Sequence, residues 1–537
     1  MSNHVFYNAK VYVERGCFAQ AVWQQDGIIR LVGTNEEVLA AAGDAQRIDC
    51  QGRTLIPGLN DSHQHLFYLG RAMLFPDLTK ATCAEDLVTM GQEYLKNNPE
   101  SRGFQATGWN DDVWPEGKKR RPTRSDLDAI STEIPIVFNR VCAHLCCVNT
   151  RVLELLGIDR DHTTFEGASI EVDENGEPTG ILAEKALHAA ADLVPELTRE
   201  ELKRAFITAM EYAVSCGLTT VQSNDIGFVI KDHEECCDFM KEVYDEGRGL
   251  LRYTGQLMYN TLEELQAYCE SPMLNESYAN DWFRRGPLKM LKDGSLGART
   301  AMMRFDYLDD PGNRGVEVNT DEFMQSMVDC AHTHGLQVVI HCIGDDAIER
   351  VVNMYAKANQ GRGNSMRHSL IHCQITDKPL MERIRDEELL IAYQPIFLQY
   401  DMHAVLSRCG EEITSTSYAF KTAQELGIHA SFGTDSPVED LNPFPCIYCA
   451  VNRKDLKGFP EGGFFPQECV DVESAIDAYT IESAYHEFRE DVKGRIKPGY
   501  YADLVVLDTD IFTCDPMDII NIKPVLTMVG GRIVYQK

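Results

Sequence analysis

The sequence predicts an α/β protein: a (β/α)8 (TIM) barrel, a small β-sandwich formed from both termini, and a segment inserted after the first barrel strand. Three observations point there: apolar strands alternating with amphipathic helices that count to eight, β-type runs at the two ends of the chain, and a gap after strand one far too long for a loop. The expected division is residues 1–56 with 495–537 for the sandwich and 57–494 for the barrel, with the insertion at about 66–199.

At 537 residues the chain exceeds a single small core, and 44% apolar with 25% charged residues is an ordinary globular composition. With 51 basic against 83 acidic residues the net charge is -32, which speaks against nucleic-acid and anionic-membrane partners, since both call for basic patches. No apolar run approaches a membrane span, and the first residues lack the basic-then-apolar pattern of a signal peptide. A cytoplasmic protein is expected, with its 18 cysteines as reduced thiols serving mostly as small buried hydrophobes.

In chain order, β-type runs cover Val5–Tyr12, Cys17–Trp23, Gly27–Val32, Gln46–Cys50 and Thr54–Ile56. Near the other end, 503–507, 524–529 and 532–535 have the same character. Neither group can close a sandwich alone, so the termini should pair. Strand one of the barrel is expected at Thr54–Leu59, strand two at Leu218–Gln222 after a helix at Glu200–Cys216, and strand three at Leu251–Met258 after a helix at Asp232–Glu246. Strand four is expected at Leu288–Leu291, and strand five at Leu336–His341 after a helix at Asp321–His334. Strands six to eight follow at Ser369–His372, Leu389–Tyr393 and Ala430–Gly433. Within the insertion, Ile134–Phe138 reads as a strand, Thr150–Leu156 as a helix closed by Gly157, and 174–176 as a tight turn. It is expected to lie over the barrel mouth.

Alternate residues of a strand share a face, so His63 and His65 can converge on one ion while Gln64 points away. Alone the pair is weak, because a chain with 15 histidines can place two together for hydrogen bonding. A barrel of this type gathers its active site at the C-terminal strand ends. There the sequence places His63 and His65 (strand one), Lys289 (four), His341 (five), His372 (six) and Asp435 (after eight). Four histidines and an aspartate at one end of the barrel are poorly explained as separate core residues.

The motifs extend further. They include Ile56-Pro57-Gly58, Asp61-Ser62-His63-Gln64-His65, Gly108-Trp109, a 176–184 run ending in Glu184, Gly217-Leu218-Thr219-Thr220, and the stretch from Lys289 through Asp293-Gly294 to Ala301. His341-Cys342-Ile343-Gly344-Asp345, Ile371-His372, Gly433-Thr434-Asp435-Ser436-Pro437 and the tail at 494–507 complete the set. Nearly end to end, the chain resembles the amidohydrolase superfamily, in particular its amidohydrolase-3 or YtcJ-like branch, which includes N-substituted formamide deformylases. The resemblance implies two divalent metal ions, zinc foremost, joined by a lysine carboxylated by CO2. His63, His65 and Asp435 would hold the first ion, His341 and His372 the second. Four residues before Asp293-Gly294, the bridging lysine is Lys289. Lys292 is its rival, although strand parity puts it on the opposite face, and an unmodified Lys289 in a salt bridge is the plainer alternative.

The implied activity is hydrolysis of a non-peptide C–N (amide-type) bond in a small-molecule substrate by a metal-bridging hydroxide, with Asp435 as general base and then acid. A mononuclear-metal deaminase of a cyclic amidine or nucleobase, and a catalytically inactive scaffold, are the competing expectations. Trp109 could line the substrate pocket or fill the core of the insertion; His144 could face substrate or serve structure; Arg299 could bind an anion or brace its loop. Asp61 and Asp345 suit positioning or helix capping better than catalysis. Homodimerisation is implied by the resemblance alone.

Overall fold

Gly58 marks the passage from one architecture to another. A Cβ at this position would lie 2.1 Å from Thr219 Oγ1, so only glycine lets the two backbones approach this closely. In the computed structural model, which describes residues 2–142, 144–276 and 281–537, Thr54–Pro57 ends on one side of Gly58 as a strand of a terminal sheet. The first barrel strand, β1, begins on the other side and runs Leu59–Gln64. The sequence expectation for strand one, Thr54–Leu59, merged these two strands. The apolar run Leu55-Ile56-Pro57 carries through Gly58 to Leu59, all of it buried, and periodicity carries no mark of a change of sheet.

The remaining barrel strands are β2 (Leu218–Ile226), β3 (Arg252–Leu257), β4 (Phe283–Leu291), β5 (Val338–Cys342), β6 (Ser369–His372), β7 (Leu390–Tyr393) and β8 (Ala430–Phe432). Every neighbouring pair from β1 to β8 is parallel, in sequential order. The barrel closes just beyond the strand ends, where Asp435 N–H donates to His63 O at 2.9 Å and His65 N–H to Ser436 O at 2.7 Å. Capping sets the helix starts. Asp232, Thr261, Thr320 and Asp377 side chains each accept the N3 amide of the helices His233–Asp245, Leu262–Glu270, Asp321–Thr333 and Lys378–Asp386.

The termini form two sheets. One orders Ile28–Gly33, Ala21–Gln25, Asn3–Tyr7 and Gln46–Asp49; the other orders Arg532–Gln536, Pro524–Val529, Leu504–Leu507, Thr54–Pro57, Lys10–Glu14 and Cys17–Ala19. Phe6, Val22 and Ile29 of the first share a core with Val11, Leu55, Leu504 and Leu526 of the second, so the two ends of the chain build one sandwich. A buried ion pair, Arg252 Nε to Asp503 Oδ2 at 2.8 Å, ties β3 to this region. Removing either partner would strand a buried charge, at a cost of about 3–5 kcal/mol.

Contacts divide the chain into Met1–Tyr68 with Ala209–Lys537, and Leu69–Thr208. The second unit has its own five-stranded sheet, ordered Ala168–Val172, Pro178–Glu184, Leu145–Val148, Ile136–Arg140 and Phe104–Trp109. Its core gathers Phe104, Trp109, Trp114 and Phe138. The helix Thr150–Leu156 has Asn149 as its N-cap and ends on Gly157 at φ 69°, and Gly176 turns at φ 80°, as the sequence suggests.

Candidate metal centre

The C-terminal ends of β1, β4, β5 and β6, with Asp435 three residues past the end of β8, converge on one buried cluster. His63 Nε2 and His65 Nε2 each lie 3.3 Å from the same atom, Asp435 Oδ1. His372 joins them: its ligand atom and those of His63 and Asp435 all lie within 4.8 Å of one another. The His341 ring is 4.4 Å from that of His372, centre to centre, and the His63 ring 5.5 Å. His372 (φ 74°) and Asp435 (φ 57°) hold left-handed backbone conformations unusual for non-glycine residues, a form of strain that concentrates at functional sites.

Each histidine has one ring nitrogen tied to a protein oxygen. His63 Nδ1 meets Gln256 Oε1 at 2.9 Å, His65 Nδ1 meets Asn224 O at 2.6 Å, and His372 Nδ1 meets Gln394 Oε1 at 2.6 Å. His341 is tied through the other nitrogen, Nε2 to Gly294 O at 2.9 Å. An N–H held by an oxygen acceptor leaves the opposite nitrogen with a lone pair, the arrangement that orients histidines on metals. The glutamines and backbone oxygens that do this were missed by sequence reasoning; the available signal was polar residues within, or just past, apolar strands, as at Gln256 and Gln394. Asp293 also contributes: its carboxylate accepts the amides of Met302, Ile343 and Gly344 at 2.9–3.0 Å and so shapes the loop that supplies Gly294 O.

The charges suit cation binding. Burial pushes His63 down to about 4 and His341 to about 3, and holds His372 well below the usual imidazole range, so all three present neutral rings. Burial also opposes charge on His65, but Asp435 raises it overall. Asp435 is itself buried, yet the facing histidines hold its carboxyl well below the usual range. Its Oδ1 has no hydrogen-bond partner among the described residues, an anionic oxygen left for something else to satisfy. Burial lowers the Lys289 ammonium to about 8, which populates the neutral amine near neutrality. Neutral imidazoles, an orphaned carboxylate oxygen and a lysine able to react as an amine fit a divalent-metal donor set.

Lys292 points elsewhere. Its Nζ bonds Glu317 at 2.5 Å, Asn319 O at 3.0 Å and the Asp321 carboxylate, as strand parity requires.

Each of the three substrate-side candidates has partners within its own unit. Trp109 is fully buried in the core of the insertion, where its Nε1–H donates to Phe138 O at 2.8 Å. His144 is exposed and pairs with Glu184 at 3.3 Å. Arg299 braces its own loop, its Nη2 bonding Asp309 at 2.7 Å. The aromatic rings beside the cluster are instead Phe228, 4.9 Å from His65, and Phe397, stacked on His372 at 5.7 Å. Asp345 does not cap its helix; it accepts Arg304 N–H and pairs with the Arg304 guanidinium at 2.8 Å.

Comparison with known proteins agrees with this geometry. YtcJ of Bacillus subtilis (strain 168) is 31% identical over 530 residues, covering 98% of this chain and 97% of that protein. The N-substituted formamide deformylase of Arthrobacter pascens is 25% identical over 549 residues, covering 99% and 97%. The crystal structure of an uncharacterized metal-dependent hydrolase from Pyrococcus furiosus superposes with a TM-score of 0.77 at 26% identity, covering 95% of this chain and 100% of that one. The model of the amidohydrolase family matches residues 46–535. With that match across almost its whole length and a metal-ligand constellation at the barrel ends, the chain belongs to the amidohydrolase family.

Proposed function

We propose that this amidohydrolase is a binuclear, zinc-class enzyme that hydrolyses a non-peptide C–N bond of amide type in a small molecule. The observation that carries the reading is the set of four histidines, each fixed through one ring nitrogen, around the orphaned Oδ1 of Asp435 and the buried Lys289. His63, His65 and Asp435 would hold one ion, His341 and His372 the other, with Lys289 spanning them as its carbamate. An ammonium has no lone pair to offer a metal, whereas an N-carboxylate offers one oxygen to each ion.

A bound divalent pair supplies Lewis acidity, lowering the pKa of water and polarising a carbonyl. The chain does the rest. Asp435 accepts the proton of the attacking water and returns it to the leaving nitrogen, so the amide becomes a carboxylate and an amine. Phe228 and Phe397 give the reacting group an apolar flank. The name of the relative called N-substituted formamide deformylase is the reason to try N-formyl compounds first.

The test is a screen of N-formyl, N-acyl and cyclic amides against zinc-loaded protein, run beside Lys289→Ala. Release of amine from at least one class, lost in the variant, is expected. Ammonia release from a cyclic amidine with one ion bound would replace this reading by a deaminase, and full activity in Lys289→Ala with metal retained would remove the bridging carbamate.

A further inference from the structure

A second set of metal-ligating side chains lies on the outside of the barrel, apart from the centre described above. Cys269 sits in the helix Leu262–Glu270 after β3; Cys330 and His334 sit at the end of the helix Asp321–Thr333 after β4, and these two helices pack together. One ligand atom from each of Cys269, Cys330 and His334 falls within 4.8 Å of the other two. Cys330 Sγ is 4.0 Å from His334 Nδ1, and both cysteines are free thiols.

We propose that Cys269, Cys330 and His334 form a site for a thiophilic divalent ion of the zinc class, clamping the two helices together. With Zn–S near 2.3 Å and Zn–N near 2.0 Å, tetrahedral geometry places neighbouring ligand atoms about 3.5–3.8 Å apart, so small side-chain rotations close the triangle. Cys330 and His334 are four residues apart, one helical turn, which puts both on the same face toward Cys269. Two sulfurs and an imidazole select a soft ion over magnesium or calcium. Cys269 is buried while His334 stands at the solvent edge, so an ion has an entry path and its fourth position opens to water or to Glu270, an exposed carboxylate beside both thiols.

Binding is balanced by proton release. Each thiol gives up its proton to become a thiolate ligand, and His334 stays neutral. In the unliganded protein His334 Nδ1–H donates to Cys330 O at 2.8 Å. Coordination through Nδ1 therefore needs the ring proton to move to Nε2, whereas coordination through Nε2 keeps the carbonyl contact as the orienting bond. The helices involved flank β4, which carries Lys289, and the second leads into β5, which carries His341. The clamp thus braces the wall behind two groups of the catalytic cluster without touching them.

The test uses the full chain with its active centre already metal-loaded. Cobalt(II) is titrated as the probe while the near-ultraviolet sulfur-to-cobalt charge-transfer band is followed. The active-centre ligands proposed above include no thiolate, so a band growing to one further equivalent reports this site alone. The band should be lost in Cys269→Ser and weakened in His334→Ala, with catalytic activity retained in both. Should Cys269→Ser fold poorly, alkylation of the wild-type protein decides: zinc should protect Cys330 from iodoacetamide while leaving the exposed Cys17 and Cys142 reactive. No charge-transfer band with unchanged Cys330 alkylation overturns the proposal, as does a Cys269–Cys330 disulfide in the protein as isolated.

Discussion

Asp61 Oδ2 accepts both the backbone amide of Thr434, at 3.0 Å, and its hydroxyl, at 2.6 Å, while Asp61 Oδ1 accepts the amide of His63 at 3.0 Å. One fully buried carboxylate thus seams the first and eighth barrel strands together at the point where each supplies a proposed metal ligand, His63 on one side and Asp435 on the other. Burial pushes this carboxyl up to about 7, against the pull of its three donors.

Asp61→Asn tests that role. An amide NH2 cannot accept, so at least one of the three donors would face another donor and the loop carrying Asp435 would shift. We expect the ion held by His63, His65 and Asp435 to bind about 10–100-fold more weakly, with kcat falling alongside. Chelator competition measures the affinity. Unchanged affinity in a folded variant would mean that the seam does not position the ligands.

Gln394→Ala separates the two ions. Among the described residues His372 Nδ1 is held by Gln394 Oε1 alone, so the ring loses its orienting partner while His63, His65 and their partners are untouched. The expected outcome is a loss of about 10–100-fold in affinity for one ion of the pair, with the other unaffected. Equal weakening of both would show that the pair behaves as one unit.

The fold also carries an acid sensitivity away from the centre. Val338 N–H donates to His368 Nδ1 at 3.0 Å, so that nitrogen must keep its lone pair, and burial lowers the ring to about 3. Below the ordinary value of 6.5 the unfolded chain takes up a proton that the folded chain refuses. His368 therefore contributes stability that is fully present above about 6.5 and is lost toward pH 3, at up to about 1.4 kcal/mol per pH unit. Denaturant unfolding of wild type and His368→Gln should show the wild type losing its advantage as pH falls from 6.5. A constant difference across that range would contradict the assignment.

Much of this was legible in the sequence. Eight strands were countable because most contain a short apolar run between turn signals, and strand parity puts Lys289 and Lys292 on opposite sides, as found. Three kinds of information were not. The boundary at Gly58 falls inside one buried run from Leu55 to Leu59, so the pattern does not mark it. Trp109 was ambiguous because a tryptophan in a core and one in a pocket look alike until the neighbouring strand at Phe138 is placed. Partners such as Gln256, Gln394 and Asn224 depend on contacts between residues far apart in sequence, which periodicity does not encode.

The central claim is a pair of ions bridged by a modified Lys289, and an anomalous difference map of zinc-loaded crystals tests it most directly. The account predicts two peaks in the barrel mouth, one among His63, His65 and Asp435 and one beside His341 and His372, with density for a carboxyl group extending Lys289 between them. A single peak, or an unmodified Lys289 clear of both ions, would contradict it.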